Sequence, residues 1–481
     1  MTAFGGQPFE IDLTAGYNPV RFPSINNQTC FNLFDFGGVM LPTAGYTQIL
    51  SSLASKGGES RGIFYSDILK ECVVVLGSVL YSITNTTHKV LGQLDSIQGK
   101  VYFAENGVTT LPNSTTGDPG GQIAVSDGQN IYIWGLDNSF IKAIDDQGNA
   151  LEWTPGTLAF QSDFFFANDL NSKDIHISEI NNARTWDADG ISTISENTVT
   201  CAAFKSLLYV FGKDKTFLFY GNAQNEFFPY SQDTSRSWEY GCLSQGSLAS
   251  SLGVMAWVGN SRYANPVILA STGGEPEAIS TPGIDSIIDA LSTPRDCEGF
   301  IYQEDGHTFY QLNFYTDEFS LLYDFTTKKW TRLTDFNINN VHPIRQTAYY
   351  EDKNELLGIT RYGESVVNFG LNFFTNNGKI VPRTIITQNF DQKERNYIIQ
   401  ELDLAIEQGE NQETSKICLS ISKDNGRTFP IQRVFELGNI GHRKELLRWR
   451  KLGAARWWTF KYDFFSSDRF VILNSTGYIQ K

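Results

Sequence analysis

The stretch Thr216-Phe-Leu-Phe-Tyr-Gly-Asn-Ala-Gln-Asn-Glu-Phe-Phe-Pro-Tyr-Ser-Gln232, followed by Tyr240-Gly-Cys-Leu-Ser244, Met255-Ala-Trp-Val-Gly-Asn260 and Gly273-Gly-Glu-Pro-Glu-Ala-Ile-Ser-Thr-Pro-Gly-Ile-Asp-Ser-Ile-Ile288, decides the fold class. Short runs of aromatic and branched residues alternate with Gly, Asn and Pro, which is the pattern of strands separated by tight turns. Only its end changes period. Thr281 suits a helix cap, Pro282 the first helical position, and Ile284, Ile287, Ile288 and Leu291 share one face of a short helix.

The same texture extends in both directions. Glu71-Cys-Val-Val-Val-Leu-Gly-Ser-Val-Leu-Tyr-Ser-Ile83 reads as a hairpin turning at Gly77-Ser78. Gln122–Val125 and Asn130–Trp134 flank Asp127-Gly128, and Phe204–Phe211 turns through Gly212–Lys215 into Thr216–Tyr220. Phe319–Phe325 turns through Thr326-Thr-Lys-Lys into Trp330–Leu333. Strand pairs recur at roughly 40–50 residues, the period of β-propeller blades, without a sharp consensus. The expected architecture is all-β: a degenerate β-propeller body over residues 1–375, whose first ~25 residues form an extended arm. A stacked sandwich or a two-domain β-protein is the competing arrangement. After residue 376 the alternating strands lengthen, as in Asn396–Ile406, Ile417–Ser422, Trp457–Tyr462 and Arg469–Leu473, so 376–481 reads as an antiparallel β-sandwich and docking domain.

Composition bounds the function. The 481 residues are 41% hydrophobic and 19% charged, enough apolar surface for a large core. No apolar run is long enough to span a membrane, and Met1–Pro8 has neither the basic start nor the apolar centre of a secretory signal, so synthesis and assembly in a cytoplasm are expected. The six scattered cysteines (Cys30, Cys72, Cys201, Cys242, Cys297, Cys418) read as buried thiols of a reducing compartment. The total formal charge is −15; residues 376–481 hold 17 Lys and Arg against 12 Asp and Glu, a net +5, leaving −20 on the remainder. An acidic body does not grip phosphates, although it lets DNA slide past.

Candidate chemistry is sparse. Asp145-Asp146, Asp187/Asp189 and Asp317-Glu318 fall at turns, where Asp serves the backbone, and Asp187-Ala-Asp-Gly190 is only a fragment of a calcium loop. No phosphate loop, nucleophile elbow or metal-ligand spacing occurs, so no catalytic residue, cofactor or metal is expected. Ser422, Asp424, Gly426, Thr428 and Phe429 form the Ser-x-Asp-x-Gly-x-Thr-aromatic turn of sialidase-type blades, a structural hairpin in which Asp holds turn amides. Aromatic residues such as those of Ser237–Tyr240 fit a blade core or a sugar groove. The candidate interface is basic: Arg443, Lys444, Arg448, Arg450, Lys451 and Arg456, with Trp449 among them and one acid, Glu445. It reads as a solvated strand face, as a docking face for an acidic neighbour, or as a phosphate contact.

Phe217–Ala223, Phe227–Tyr230, Gly241-Cys242, Ser247, Trp257-Val-Gly259 and Ala278–Asp285 together resemble tail hub proteins of short-tailed bacteriophages, also called packaged-DNA stabilisation or tail accessory proteins. Tyr17–Val20, Cys30–Leu33, Ser60–Ile63, Pro382–Thr384, Leu419–Phe429 and Leu446–Gly453 extend the resemblance through most of the chain, while the loop Thr110–Gly121 is longer and more polar than the family pattern. The resemblance implies a non-enzymatic virion protein, a ring of six propellers below the portal and adaptor. Such a ring closes the channel after packaging, holds the tail needle or plug and the spikes or fibres, and lets genomic DNA pass. It also implies assembly in the bacterial host cytoplasm without membrane insertion. A carbohydrate-binding or sialidase-like propeller acting on host glycans is the alternative, and a cellular scaffold propeller a further one.

Overall fold

In Glu71–Leu76 alternate side chains point to opposite faces of one sheet, and both faces are buried. Val73 and Val75 pack with Ile123, Val125 and Trp134 of the next sheet, whereas Cys72, Val74 and Leu76 pack with Leu357, Ile359 and Val366 of the previous one. A strand covered on both sides has no polar face, which is why these strands read as continuous apolar runs. The computed structural model repeats this arrangement around an axis. It describes residues 6–19, 28–54, 58–222, 224, 227–262, 264–362, 366–392, 395–408, 415–436 and 444–480.

Seven mostly antiparallel sheets form seven blades among the described residues. Their inner strands are Ser60–Ser66, Tyr102–Glu105, Pro155–Gln161, Thr198–Phe204, Ala249–Ser251, Cys297–Glu304 and Ile344–Tyr350. Seven apolar clusters each join one blade to the next. The opening stretch lies in blades four and five: Phe217 and Phe219 pack toward blade three, and Leu218 packs with Trp257 toward blade five. The helix Pro282–Ala290, capped by Thr281, covers the seam between blades five and six with Ile284 and Ile288. Near the axis the blades converge, and a Cβ at Gly62 would meet Val101 at 2.7 Å, or one at Gly299 the Ser247 carbonyl oxygen at 2.8 Å.

The last blade is completed from the other end of the chain. Gly45–Gln48 pairs antiparallel with Val366–Gly370 as its outer strand. On the axial side a buried ion network crosses the same junction. Arg345 of blade seven forks onto both oxygens of Glu298 in blade six, at 2.6 Å each, and reaches Glu59 beside blade one at 2.7 Å. Glu59 also accepts the Gly99 amide at 2.9 Å, and Arg61 donates to the carbonyls of Gly99, Gly77 and Ser96.

The eighth core is the sandwich. One of its sheets orders Leu33–Phe36, Val39–Pro42, Phe470–Ile479, Tyr397–Gln408 and Lys444–Ala455, with Gln7–Ile11 paired to Phe470–Ile479. The other orders Thr29–Phe31, Arg383–Ile386, Trp457–Phe465, Lys416–Ser422 and Ile431–Glu436. This departs from the expectation of an N-terminal arm and a body beginning at residue 1. Ile11, Leu13, Cys30, Leu33 and Met40 enter the sandwich core, because isolated apolar strands at 7–42 need a face to cover. Residues 1–5 and 20–27 of the expected arm lie outside the described residues. Phe31 also pairs parallel with Arg332 of blade six, so one sheet runs from that blade into the sandwich.

The network around Arg345 makes a prediction. Arg345→Met removes the cation shared by two buried carboxylates, leaving Glu59 only its 3.3 Å contact with Arg361 and Glu298 only the nearby Lys100, and should cost about 3–5 kcal/mol in urea unfolding. Burial alone raises the Glu298 carboxyl, but Arg345 and Lys100 outweigh it and hold it below its ordinary value. Its contribution is therefore full above the unfolded carboxyl value and lost on acidification through the lower, folded one. The unfolding free energy of the native chain should fall across that acid range, and that of Arg345→Met should fall less.

Candidate functional site

The basic stretch lies on Lys444–Ala455, an edge strand whose alternation separates two roles. Leu447 and Trp449 point inward, Trp449 at 2% exposure against Phe435 and Tyr462. Trp449 is thus a core residue, which corrects its placement on an interface. Arg448 and Arg450 point outward, and both meet acids of the neighbouring strand Tyr397–Gln408. Arg448 binds Asp403 through two 2.8 Å contacts and Glu401 through a third, and Arg450 reaches Glu401 at 3.0 Å. The acidic neighbour of these two arginines is in the same chain. The Asp403 hydrogen bonds hold the Arg448 guanidinium above its ordinary value. Arg443 lies outside the described residues, as does the side chain of Lys444.

Beyond Arg450 the strand departs from regular pairing. The register with Tyr397–Gln408 shifts between Ile399 and Glu401, Lys451 takes φ 59° and Gly453 φ 90°. Such a bulge turns carbonyls out of the ladder. Arg433 donates to those of Arg450 (2.6 Å) and Lys451 (3.3 Å), and Lys423 to that of Leu452 (3.0 Å). Lys423 belongs to the turn after Lys416–Ser422. There Asp424 accepts from the Thr428 amide at 2.9 Å and its hydroxyl at 2.7 Å, Ser422 accepts the Gly426 amide at 2.9 Å, and Asn425 and Gly426 take positive φ. These hydrogen bonds hold the Asp424 carboxyl below the carboxylate range. Phe429 is half-buried. Arg456 lies over the Trp457 ring at 4.8 Å. The turn and the bulge therefore form one basic corner, which sequence spacing alone did not bring together.

An axial channel of about 1360 Å³ runs between the inner strands. Lys100, just before the inner strand of blade two, reaches the Gly246 carbonyl of blade five at 3.1 Å, across the axis, beside Glu298 and Arg345. Glu105 accepts from the Ser66 hydroxyl and the Asp67 amide, and Glu304 from the Leu371 amide at 2.6 Å. Burial raises the Glu304 carboxyl to about 7. Asp187 of the calcium-like fragment accepts the Asp189 amide at 2.8 Å within the strand Asn182–Thr193. No group of three potential metal ligands occurs among the described residues, and no helix there is long and apolar enough to cross a membrane.

A closed seven-blade propeller fused to a sandwich through a shared sheet defines a two-part β scaffold. Residues 27–356 match the family model of the bacteriophage P22 Gp10 β-propeller, and residues 382–476 that of the Gp10 β-sandwich. The chain belongs to this family of podovirus tail hub, or packaged-DNA stabilisation, proteins, and it is a phage tail structural protein and a virion component. No curated protein sequence matches. Among solved structures, the N-terminal domain of Nup159 is similar at 12% identity and TM-score 0.40, covering 69% of this chain and 95% of its own. BBS1N in complex with ARL6DN is similar at 11% identity and TM-score 0.40, with coverages of 68% and 96%.

Arg448→Ala strands Asp403, whose side chain is only 6% exposed, and should cost about 1–3 kcal/mol in denaturant unfolding. Arg450→Ala, at an exposed pair, should stay within about 0.5 kcal/mol. Glu304, raised in the fold, holds its proton there at pH values where the unfolded chain has lost it. Stability should therefore decline between the ordinary carboxyl value and about 7 and level off above. Glu304→Gln should remove that decline, measured as unfolding midpoint against pH.

Proposed function

We propose that this protein is the tail hub that completes the head: it closes the portal channel after DNA packaging and links the portal–adaptor complex to the tail needle or plug and to spikes or fibres. It works as a homo-oligomeric ring, in keeping with six copies, assembled in the host cytoplasm, and it catalyses no reaction. The observation that carries the reading is the match of both family models, in order, over the propeller and the sandwich. The physics agrees with it. Seven packed blades closed by a terminal strand and a buried ion network resist deformation under internal pressure. The net −20 outside residues 376–481 lets DNA pass a ring lumen without sticking.

A phage lacking this chain should package DNA and then lose it, giving empty heads without needle or spikes by negative-stain imaging, and supplying the chain in trans should restore filled particles. Full heads with complete tails in its absence would falsify the assignment. The glycan alternative is read separately on a glycan array, where the hub reading expects no specific binding by the purified protein.

A further inference from the structure

The basic corner keeps charge that the fold does not cancel. Arg448 and Arg450 are matched by Glu401 and Asp403, but Lys423 and Arg433 spend their hydrogen bonds on bulge carbonyls, which are neutral. Arg427, in the same turn as Lys423, and Lys451, at the bulge, are exposed. The one carboxylate within the turn, Asp424, is held by Ser422 and Thr428. Ser422 and Thr428 are neutral, so Asp424 keeps its charge, and four cations against this one carboxylate leave the corner net positive. Exposed apolar surface borders the bulge at Ile398, 39% exposed and paired with Ala454. Cations bordered by apolar surface suit a protein partner better than a phosphate backbone, which offers no apolar area.

The opposite combination occurs on the outer strand of blade three. Asp187 and Asp189 stand on Asn182–Thr193 close to Ile191, which is 40% exposed. Asp189 is exposed, and neither acid forms an ion pair among the described residues. We propose that the corner of Lys423, Arg427, Arg433 and Lys451 docks on the Asp187–Ile191 rim of a second copy of this chain. The two patches differ, so the contact is heterologous and propagates head to tail, the geometry that closes into a ring when the rotation permits. This rests on the ring reading above and names its interface.

Sedimentation velocity of the full chain tests it. The native protein should self-associate at about 0.05 M NaCl and dissociate toward about 0.5 M, as screening shortens the range of exposed charges. Arg427→Glu with Lys451→Glu, both at exposed positions that leave the Arg448 pairs intact, should weaken association about tenfold or more, as should Asp187→Lys with Asp189→Lys. All four changes in one chain should restore it. A native chain monomeric at low salt, single swaps without effect, or a combination that fails to restore association would each overturn the proposal. So would a salt-sensitive duplex-DNA shift lost in the Arg427/Lys451 variant while self-association persists, which assigns the corner to phosphate. Failure here leaves the DNA-retention experiment unaffected, and the reverse also holds.

Discussion

Closure of the ring is the constraint on which the rest depends. Each blade is apolar on both faces, so an open arc would leave two large apolar surfaces in water. The chain closes the arc by pairing Gly45–Gln48 with Val366–Gly370, more than three hundred residues later, and by burying Arg345 between Glu59 and Glu298. A charge pair of this kind adds little net stability over an apolar filling, yet it tolerates only one geometry, since any misalignment leaves a buried charge unpaired. The network therefore fixes how blades six, seven and one meet, while the seven inter-blade clusters supply the attraction.

Closure from the N-terminal side also explains the second domain. Gln7–Ile11, Thr29–Phe31, Leu33–Phe36 and Val39–Pro42 all precede Gly45–Gln48 in the chain, and they lie in the sandwich sheets. The join is polar and specific: Asn32 donates to the Thr334 hydroxyl and the Pro382 carbonyl, each at 2.7 Å, and accepts the Thr334 amide at 2.9 Å. With one sheet continuous from blade six to Ile431–Glu436, the two parts share hydrogen bonds instead of a flexible linker. Force applied to one part passes to the other through ladder hydrogen bonds.

The charge pattern acquires meaning only at this level. Read along the chain, Arg443 to Arg456 is a single basic run; on the strand it divides into an inward tryptophan, two arginines matched by Glu401 and Asp403, and a bulge with its own cations. Lys423, Arg427 and Arg433 come from other segments and carry no signal in that run. What they share is a place, set by the turn of Ser422–Thr428 leaning on the carbonyls of the bulge.

The sequence by itself determined that the protein is all-β, that short strands recur at blade spacing, that Gly77, Asp424 and Gly426 mark turns, and that Thr281-Pro282 begins a helix. These are local properties, written in period-two alternation and in residues that accept positive φ. Its resemblance to tail hub proteins was legible too, since that rests on residue order. Only the tertiary structure decided the number of blades, the entry of Ile11, Leu13, Cys30, Leu33 and Met40 into the sandwich, the burial of Trp449 and the pairing of Arg448 with Asp403. Each of these depends on which strand lies beside which across tens to hundreds of residues. Strand pairing uses backbone groups common to every residue, so a β-chain's partners are fixed by which arrangement covers all of its apolar faces at once.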